Sequence, residues 1–289
     1  MVSKKLFKAY YQLTKPGIIY GNALSAIGGY LLASKWHIHI VVFLGMLLGT
    51  SLVIGSACVF NNYMDRSIDK KMARTKKRAT VTGKISGKNA LIYATVLGVI
   101  GFVLLASLVN TLVVIIGVVG YIDYIFAYGY YKRHSIHGTI VGSISGATPV
   151  VAGYCAVTNH FDLGAIILFF ILVLWQMPHF YAISMYRRED YVAAGLPVMS
   201  VKKTATQTKR YILWYITAFA IAVIALTLCG YAGLTFAFVM LGLSIIWLVR
   251  GIRQFNTLDE KQWGKSMFLY SLIVITALSG MLAVGSILP

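Results

Sequence analysis

The sequence predicts an all-α integral membrane protein that crosses the bilayer about nine times. Three observations predict it. Apolar residues make up 58% of the chain and charged residues only 12%, where a soluble domain carries about 25% charged residues. Runs long enough to cross about 30 Å of hydrocarbon recur along the whole length. Finally, 25 of the 26 Lys and Arg residues fall at the N-terminus and in alternate loops.

The spans follow in order. A basic N-terminus with Lys4, Lys5, Lys8 and Lys15 precedes the first, about 17–34. The second, 40–60, ends against Asn61, and the basic loop to Lys88 separates it from the third, 89–108. Little more than Asn110 divides that span from the fourth, 111–128. The fifth and sixth occupy 138–158 and 163–185, and the sixth carries Pro178. The last three are 211–230, 233–250 and 267–287. Nine spans in 289 residues leave almost nothing for an extramembrane domain, so residues 1–289 read as one transmembrane unit. With this count only Lys35 falls outside the basic loops, and the positive-inside rule puts the N-terminus and the 61–88 loop in the cytoplasm and the C-terminus outside.

The net charge of +18 is therefore mostly topology. Nucleic-acid binding is not needed to explain it, and anionic lipid headgroups of the bilayer are the expected general partner. Cys58, Cys155 and Cys229 stand alone in apolar runs, which indicates packing rather than a disulfide or zinc framework. No small-residue cleavage site follows the first apolar run, and no Arg- and Ser-rich extension precedes it. The expectation is a retained first span and a bacterial plasma (cell inner) membrane.

Residues 61–78 carry the most specific chemistry. Asn61, Asp65 and Asp69 are spaced four apart in a chain with only 8 acidic residues. On a helix they share one face, about 6 Å apart along the axis. A hard divalent cation such as Mg²⁺ takes carboxylate oxygens and shares itself with phosphate oxygens. Two carboxylates a turn apart, ringed by cations, thus read as a seat for a metal-bound diphosphate; the bland alternative is a solvated, salt-bridged helix end. Arg66, Lys70 and Arg74 form a second series of the same spacing if the helix continues past the membrane surface.

Other candidates lie on the same predicted side. Lys132 and Arg133, after a cluster of tyrosines, suit a phosphate as point charge and fork, and suit a plain topology signal equally. In the sixth span Gln176 and His179 are costly in lipid and are expected to face a cavity or the bundle interior. His179 reads as a buried histidine bonded to a carbonyl, as a substrate contact, or as a base near the reacting carbon. Pro178 can open a kink there. Arg187, Glu189 and Asp190 follow, and then a turn at 194–197 that shapes the mouth. Asp123 is open between a functional acid and a neutral one bonded to a tyrosine.

The Asn-x-x-x-Asp-x-x-x-Asp run at 61–69 resembles the first aspartate-rich motif of the UbiA-type intramembrane prenyltransferases. Leu13–Gly17, Met72–Lys76, Lys132–Ser135, Gly146–Pro149, Leu174–His179 and Asp190–Tyr191 extend the resemblance over nearly the whole chain. The Trp-Gln-Met-Pro-His run with Asp-Tyr downstream points to the haem-modifying branch. The resemblance implies helices around a central cavity and transfer of a farnesyl group from farnesyl diphosphate to a vinyl group of haem B, giving haem O and diphosphate. Mg²⁺ then falls to Asp65 and Asp69, with Asn61 orienting the diphosphate or a water on the metal. Arg66, Lys70, Arg74, Lys132, Arg133 and Arg187 are the diphosphate-binding candidates. His134, His137, Trp175, Gln176 and His179 are the haem-contact candidates, with His179 favoured. Many relatives carry a second Asp-x-x-x-Asp near the sixth span; here only Glu189 and Asp190 stand there, and Asp190 is the candidate for a second-site role. Hand-off of product to a terminal oxidase is a family-level expectation. An aromatic quinone- or chlorophyll-type acceptor is the nearest alternative, and a polytopic transporter a more distant one.

Overall fold

The computed structural model describes residues 2–285 and 287–288, and no strand occurs among them. The helices are α1 (Val2–Leu13), α2 (Pro16–Ser34), α3 (Ile40–Met64), the one-turn α4 (Arg66–Asp69), α5 (Gly87–Leu108) and α6 (Thr111–Ile122). A π-helical turn, Asp123–Ala127, then carries the chain into α7 (Tyr128–His134). After it come α8 (Gly138–Thr158), α9 (Leu163–Tyr186), α10 (Arg188–Ala193), α11 (Met199–Lys202), α12 (Ala205–Leu228), α13 (Leu234–Arg253) and α14 (Glu260–Val284).

Polar residues set the helix starts by accepting from orphan backbone N–H groups. Asn110 accepts from Val113 N at 2.9 Å to open α6, and Asp162 accepts from Ala165 N at 3.0 Å to open α9. Thr204 and Gln207 form a reciprocal capping box at the start of α12. Asp259 accepts from Gln262 N at 2.7 Å ahead of α14. Two of the few acids in the chain are thus committed to capping.

Eight helices among the described residues are long and apolar enough to cross a membrane, so the protein is multi-pass. The expected nine is not reached on that measure. The difference is α2, which forms over the expected first span as 19 residues. Gly17, Gly21, Asn22, Ser25, Gly28, Gly29 and Ser34 dilute its apolarity. Those small residues have a packing role. A Cβ on Gly29 would lie 2.1 Å from the Val150 carbonyl oxygen of α8, and one on Gly153 would lie 2.0 Å from that of Ala26. The two backbones touch, as small residues allow in membrane bundles.

The bundle has two halves. Helices α2, α3, α5, α6 and α8 form one and α9, α12, α13 and α14 the other; α9 packs on α8, α12 and α14, and α2 packs on both α8 and α14. Large apolar side chains such as Phe126, Trp214, Leu228 and Phe238 point outward, as a lipid-facing surface requires. Cys58 and Cys155 are buried, whereas Cys229 is exposed at the end of α12.

Candidate active site

The end of α3 builds the site. The helix stops at Met64, but Asp65 N still donates to Asn61 O at 2.9 Å and Asp69 N to Asp65 O at 2.8 Å. The one-face spacing therefore survives the break. Asn61, Asp65 and Asp69 are 3%, 8% and 4% exposed, and buried carboxylates require partners. Asp65 is gripped by Lys132 Nζ on one oxygen and by Arg133 at 2.9 Å on the other. Arg133 also donates to Met64 O at 2.9 Å. Asp69 takes Arg78 at 2.5 Å, and Thr75 Oγ1 donates to its carbonyl at 2.9 Å. Burial pushes the Asp65 carboxyl up, but the Lys132 ammonium and the Arg133 guanidinium outweigh it and hold the group below the usual carboxylate range.

A cation that the motif spacing does not reveal completes the cluster. Lys15 donates to Asn61 Oδ1 at 2.8 Å and lies 3.5 Å from the Tyr124 hydroxyl. No carboxylate among the described residues forms an ion pair with it, and burial pulls its ammonium down to about 8. Its backbone is left-handed, at φ 53° and ψ 66°, just ahead of Pro16. A glycine would relieve that conformation, so a lysine there points to use of its side chain. Asn61 Nδ2 is sealed from solvent with no hydrogen-bond partner among the described residues.

The π-turn places a second layer. Tyr124 and Tyr128 stack at 5.5 Å, and Lys132 Nζ lies 5.2 Å from the Tyr128 ring centre. This aligns two aromatic faces with the cation that holds Asp65, a re-aiming that π-turns commonly provide at functional sites. Asp123 is buried and accepts from Ser145 N at 3.1 Å; its partner is Ser145, not a tyrosine. Asp190 Oδ1 accepts from Ala73 N at 3.0 Å and ties the segment after α9 to the 70–86 loop. Glu189 is exposed and meets Lys261 at 3.2 Å.

Several sequence candidates stand apart from the cluster. Arg66 is exposed, donates to Tyr63 O at 2.8 Å and lies over the Tyr63 ring. Lys70 N still donates to Arg66 O at 3.2 Å, but the helix is capped there, so Arg74 does not continue the face. Lys70 and Arg74 are both exposed, and Arg74 is near enough to Tyr128 and Tyr191 to act on them electrostatically. Arg187 rests over the Tyr186 ring at 4.5 Å. His134 is exposed and stacked on Tyr130, and His137 is exposed ahead of α8.

The α9 candidates form a separate, neutral group. Trp175 donates to Ser271 O on α14 at 3.0 Å and stacks on His179 at 4.6 Å. His179 Nδ1 lies 2.7 Å from Ser271 Oγ. Gln176 turns to α8, donating to Ser143 O at 3.0 Å and to Leu172 O at 3.1 Å. Helix α9 runs unbroken through Pro178.

A groove of about 760 Å³ opens beside the carboxylates, with Lys5, Lys8, Lys15, Arg74, Arg78 and Lys84 among its lining residues. Lys15 and Arg78 face both the groove and the carboxylate cluster. Lys15, Tyr124 and Ser271 were not legible as site residues because each reaches its partner across the fold, and Arg78 because it meets Asp69, nine residues away, through a loop without regular spacing. The only local signals were Lys15 ahead of Pro16 and Arg78 in the basic loop.

The donor set fits a hard cation held together with a diphosphate. Asp65 and Asp69 supply the carboxylate oxygens. Lys132, Arg133, Arg78 and Lys15 supply charge, and the orphaned Asn61 amide supplies a donor to phosphate oxygens. Among the described residues no group of three or more His, Cys, Asp or Glu side chains surrounds a metal position, so a cation here would complete its shell with ligand and water oxygens.

The chain matches the model of the UbiA prenyltransferase family over residues 22–273. It is 51% identical over 285 residues to the protoheme IX farnesyltransferase of Klebsiella pneumoniae subsp. pneumoniae, covering 98% of this chain and 97% of that one. The enzyme of the same description from Enterobacter sp. strain 638 is 50% identical over 98% of this chain and 97% of its own. Among solved structures, a digeranylgeranylglyceryl phosphate synthase superposes with a TM-score of 0.80 at 18% identity, covering 98% of this chain and 99% of that one. A UbiA homolog from Archaeoglobus fulgidus bound to GPP and Mg²⁺ superposes with a TM-score of 0.72 at 13% identity, covering 95% and 99%. Sequence kinship over nearly the whole length and a shared fold lead to one conclusion: the chain belongs to the UbiA prenyltransferase family.

Proposed function

We propose that this protein transfers the farnesyl group of farnesyl diphosphate to a vinyl group of haem B, with one water adding to the adduct, forming haem O and diphosphate. The observation that carries the donor half is the pair of buried carboxylates, Asp65 and Asp69, one turn apart and ringed by Lys132, Arg133, Arg78 and Lys15. The acceptor half rests on the 51% identity to a protoheme IX farnesyltransferase and on the Trp175–His179 run.

Breaking the C–O bond of an allylic diphosphate builds negative charge on the leaving group. Mg²⁺ held by Asp65 and Asp69 would neutralise part of that charge when bound. The remaining work falls to the chain itself. Lys132, Arg133 and Arg78 turn from the carboxylates to phosphate oxygens, and Lys15 brings a charge with no competing acid. Preorganised donors of this kind act most strongly where water is excluded. Asn61 donates its free amide N–H to the diphosphate and fixes its orientation. The aromatic faces of Tyr124 and Tyr128 lie where developing positive charge on the allylic carbon is stabilised by a π-system.

The topology belongs to the same proposal: N-terminus and the 61–88 loop in the cytoplasm, C-terminus outside, in the cell inner membrane. Soluble Mg²⁺ then reaches the carboxylates from the cytoplasm. Purified protein incubated with haem B, farnesyl diphosphate and Mg²⁺ should yield a more hydrophobic haem whose mass has risen by a farnesyl group and one hydroxyl. EDTA should stop the reaction. Transfer that persists in EDTA would remove the metal, and conversion of a quinone precursor with no change in haem would replace the acceptor.

A further inference from the structure

His179 has two ring nitrogens, and the structure accounts for one of them. Ser271 has a single hydroxyl proton, and it is donated to Phe268 O at 2.6 Å. The same oxygen lies 2.7 Å from His179 Nδ1. With its proton committed, Ser271 Oγ can only accept, so Nδ1 carries the hydrogen. In the neutral ring this leaves the lone pair on Nε2.

That lone pair has no hydrogen-bond partner among the described residues, although His179 is only 8% exposed. The ring that carries it is held firmly. Trp175 stacks on the ring with planes 25° apart, and its own indole N–H is fixed to Ser271 O. One residue of α14 thus orients both aromatic rings of the α9 turn, one through its hydroxyl and one through its carbonyl. Phe180 and Phe268 complete an aromatic surround at 5.0 and 5.3 Å. A neutral imidazole with one nitrogen tied to an oxygen and the other free, between flat apolar walls, is the arrangement by which proteins ligate haem iron.

We propose that His179 Nε2 coordinates the iron of the haem substrate, and that Ser271 is the positioning residue that keeps this nitrogen available. The proposal rests on the haem reading given above and adds to it an atom, a tautomer and a second residue. Neutral ligation would hold the porphyrin without placing a charged side chain inside the bundle.

The test uses ferric haem B and the detergent-purified full chain, without farnesyl diphosphate, read by Soret absorption and electron paramagnetic resonance. Wild type should show a histidine-ligated haem. His179→Gly should lose that signature and regain it with added imidazole. Ser271→Ala should weaken haem affinity on the order of tenfold and alter the spectrum, while Ser271→Thr, which keeps the hydroxyl, should match wild type. Helical circular dichroism and a monodisperse elution profile check each variant; if Ser271→Ala misfolds, Ser271→Cys, of similar volume but a weak acceptor, takes its place. Wild-type spectrum and affinity in His179→Gly would overturn the ligation and leave the haem reading standing. An unchanged spectrum and affinity in the folded Ser271 variant would overturn the positioning role. A wild-type protein that binds no haem would overturn both the ligation and the haem reading.

Discussion

Asp65 and Asp69 at the end of α3 are buried carboxylates matched by full charges, whereas Trp175, Gln176 and His179 on α9 are buried polar groups matched by neutral oxygens. The partners of the first group come from long side chains at the ends of elements: Lys132 and Arg133 near the close of α7, and Arg78 in the loop after α4. Those of the second come from helix interiors, Ser143 on α8 and Ser271 on α14. Charge is tolerable where flexible cations reach it from the aqueous edge. Inside the bundle the desolvation of an ion exceeds what a single partner returns, so the polar groups there are neutral and held by carbonyls and hydroxyls. The first region can exchange partners when an anion arrives, and the second keeps its partners throughout.

The largest effect expected from this contrast is at the carboxylates. Asp65→Asn or Asp69→Asn should lower farnesyl transfer by about a hundredfold or more while the protein stays helical and membrane-inserted; near-normal haem O formation by both variants would break the contrast at its centre. Lys132→Met comes next. It leaves Arg133 on Asp65 but removes a charge from the donor pocket, and should raise KM for farnesyl diphosphate on the order of tenfold, about 1.4 kcal/mol. An unchanged KM would mean that Lys132 serves only to hold Asp65.

In the neutral region, a Cβ on Gly146 would lie 1.9 Å from Gln176 Oε1. Gly146→Ala should therefore displace the Gln176 amide and cost its two hydrogen bonds, about 1–3 kcal/mol. A lowered thermal midpoint with unchanged KM for the diphosphate is the expected outcome; a change in KM would mean that the two regions are coupled.

A smaller and pH-dependent effect is expected at Lys15, whose ammonium is pulled down to about 8 by burial. Below that pH the charge is present and KM for the diphosphate should be flat; above it the free protein loses the charge and KM should climb, whereas Lys15→Arg should keep the profile flat. Between about pH 8 and the ordinary lysine value near 10.4, the unfolded chain holds a proton that the folded chain has released. This residue's contribution to stability therefore rises with pH across that window. A wild-type KM profile identical to that of Lys15→Arg would remove Lys15 from the donor pocket. The smallest effect is expected from Arg66→Ala: the side chain is exposed and turned to Tyr63, so kcat/KM should change less than about threefold, the range of a screened surface charge. A larger loss would bring Arg66 back into the diphosphate clamp.

Much of the molecule was legible in advance, for a local reason. Helical spans declare themselves by runs of apolar residues, and eight of the nine expected positions hold helices that meet the length and apolarity of a span. The exception, α2, shows the limit of hydropathy: Gly29 and Gly153 lower apolarity to let two backbones touch, and that purpose appears only when α2 and α8 are side by side. The shared face of Asn61, Asp65 and Asp69 was equally legible, because it depends on a four-residue repeat. The second series, Arg66, Lys70 and Arg74, breaks before Arg74 because α4 ends at Asp69 with Lys70 as its cap.

The sequence by itself determined the membrane class and the place of the carboxylate pair, since both follow from composition and short-range spacing, and its motifs carried the family resemblance. The tertiary structure alone decided which charges meet those carboxylates. Lys15 reaches Asn61 across 46 residues and Lys132 reaches Asp65 across 67, while Ser271 meets His179 across 92. No periodicity encodes such distances. They arise when apolar helix faces pack and bring the ends of distant elements to one place.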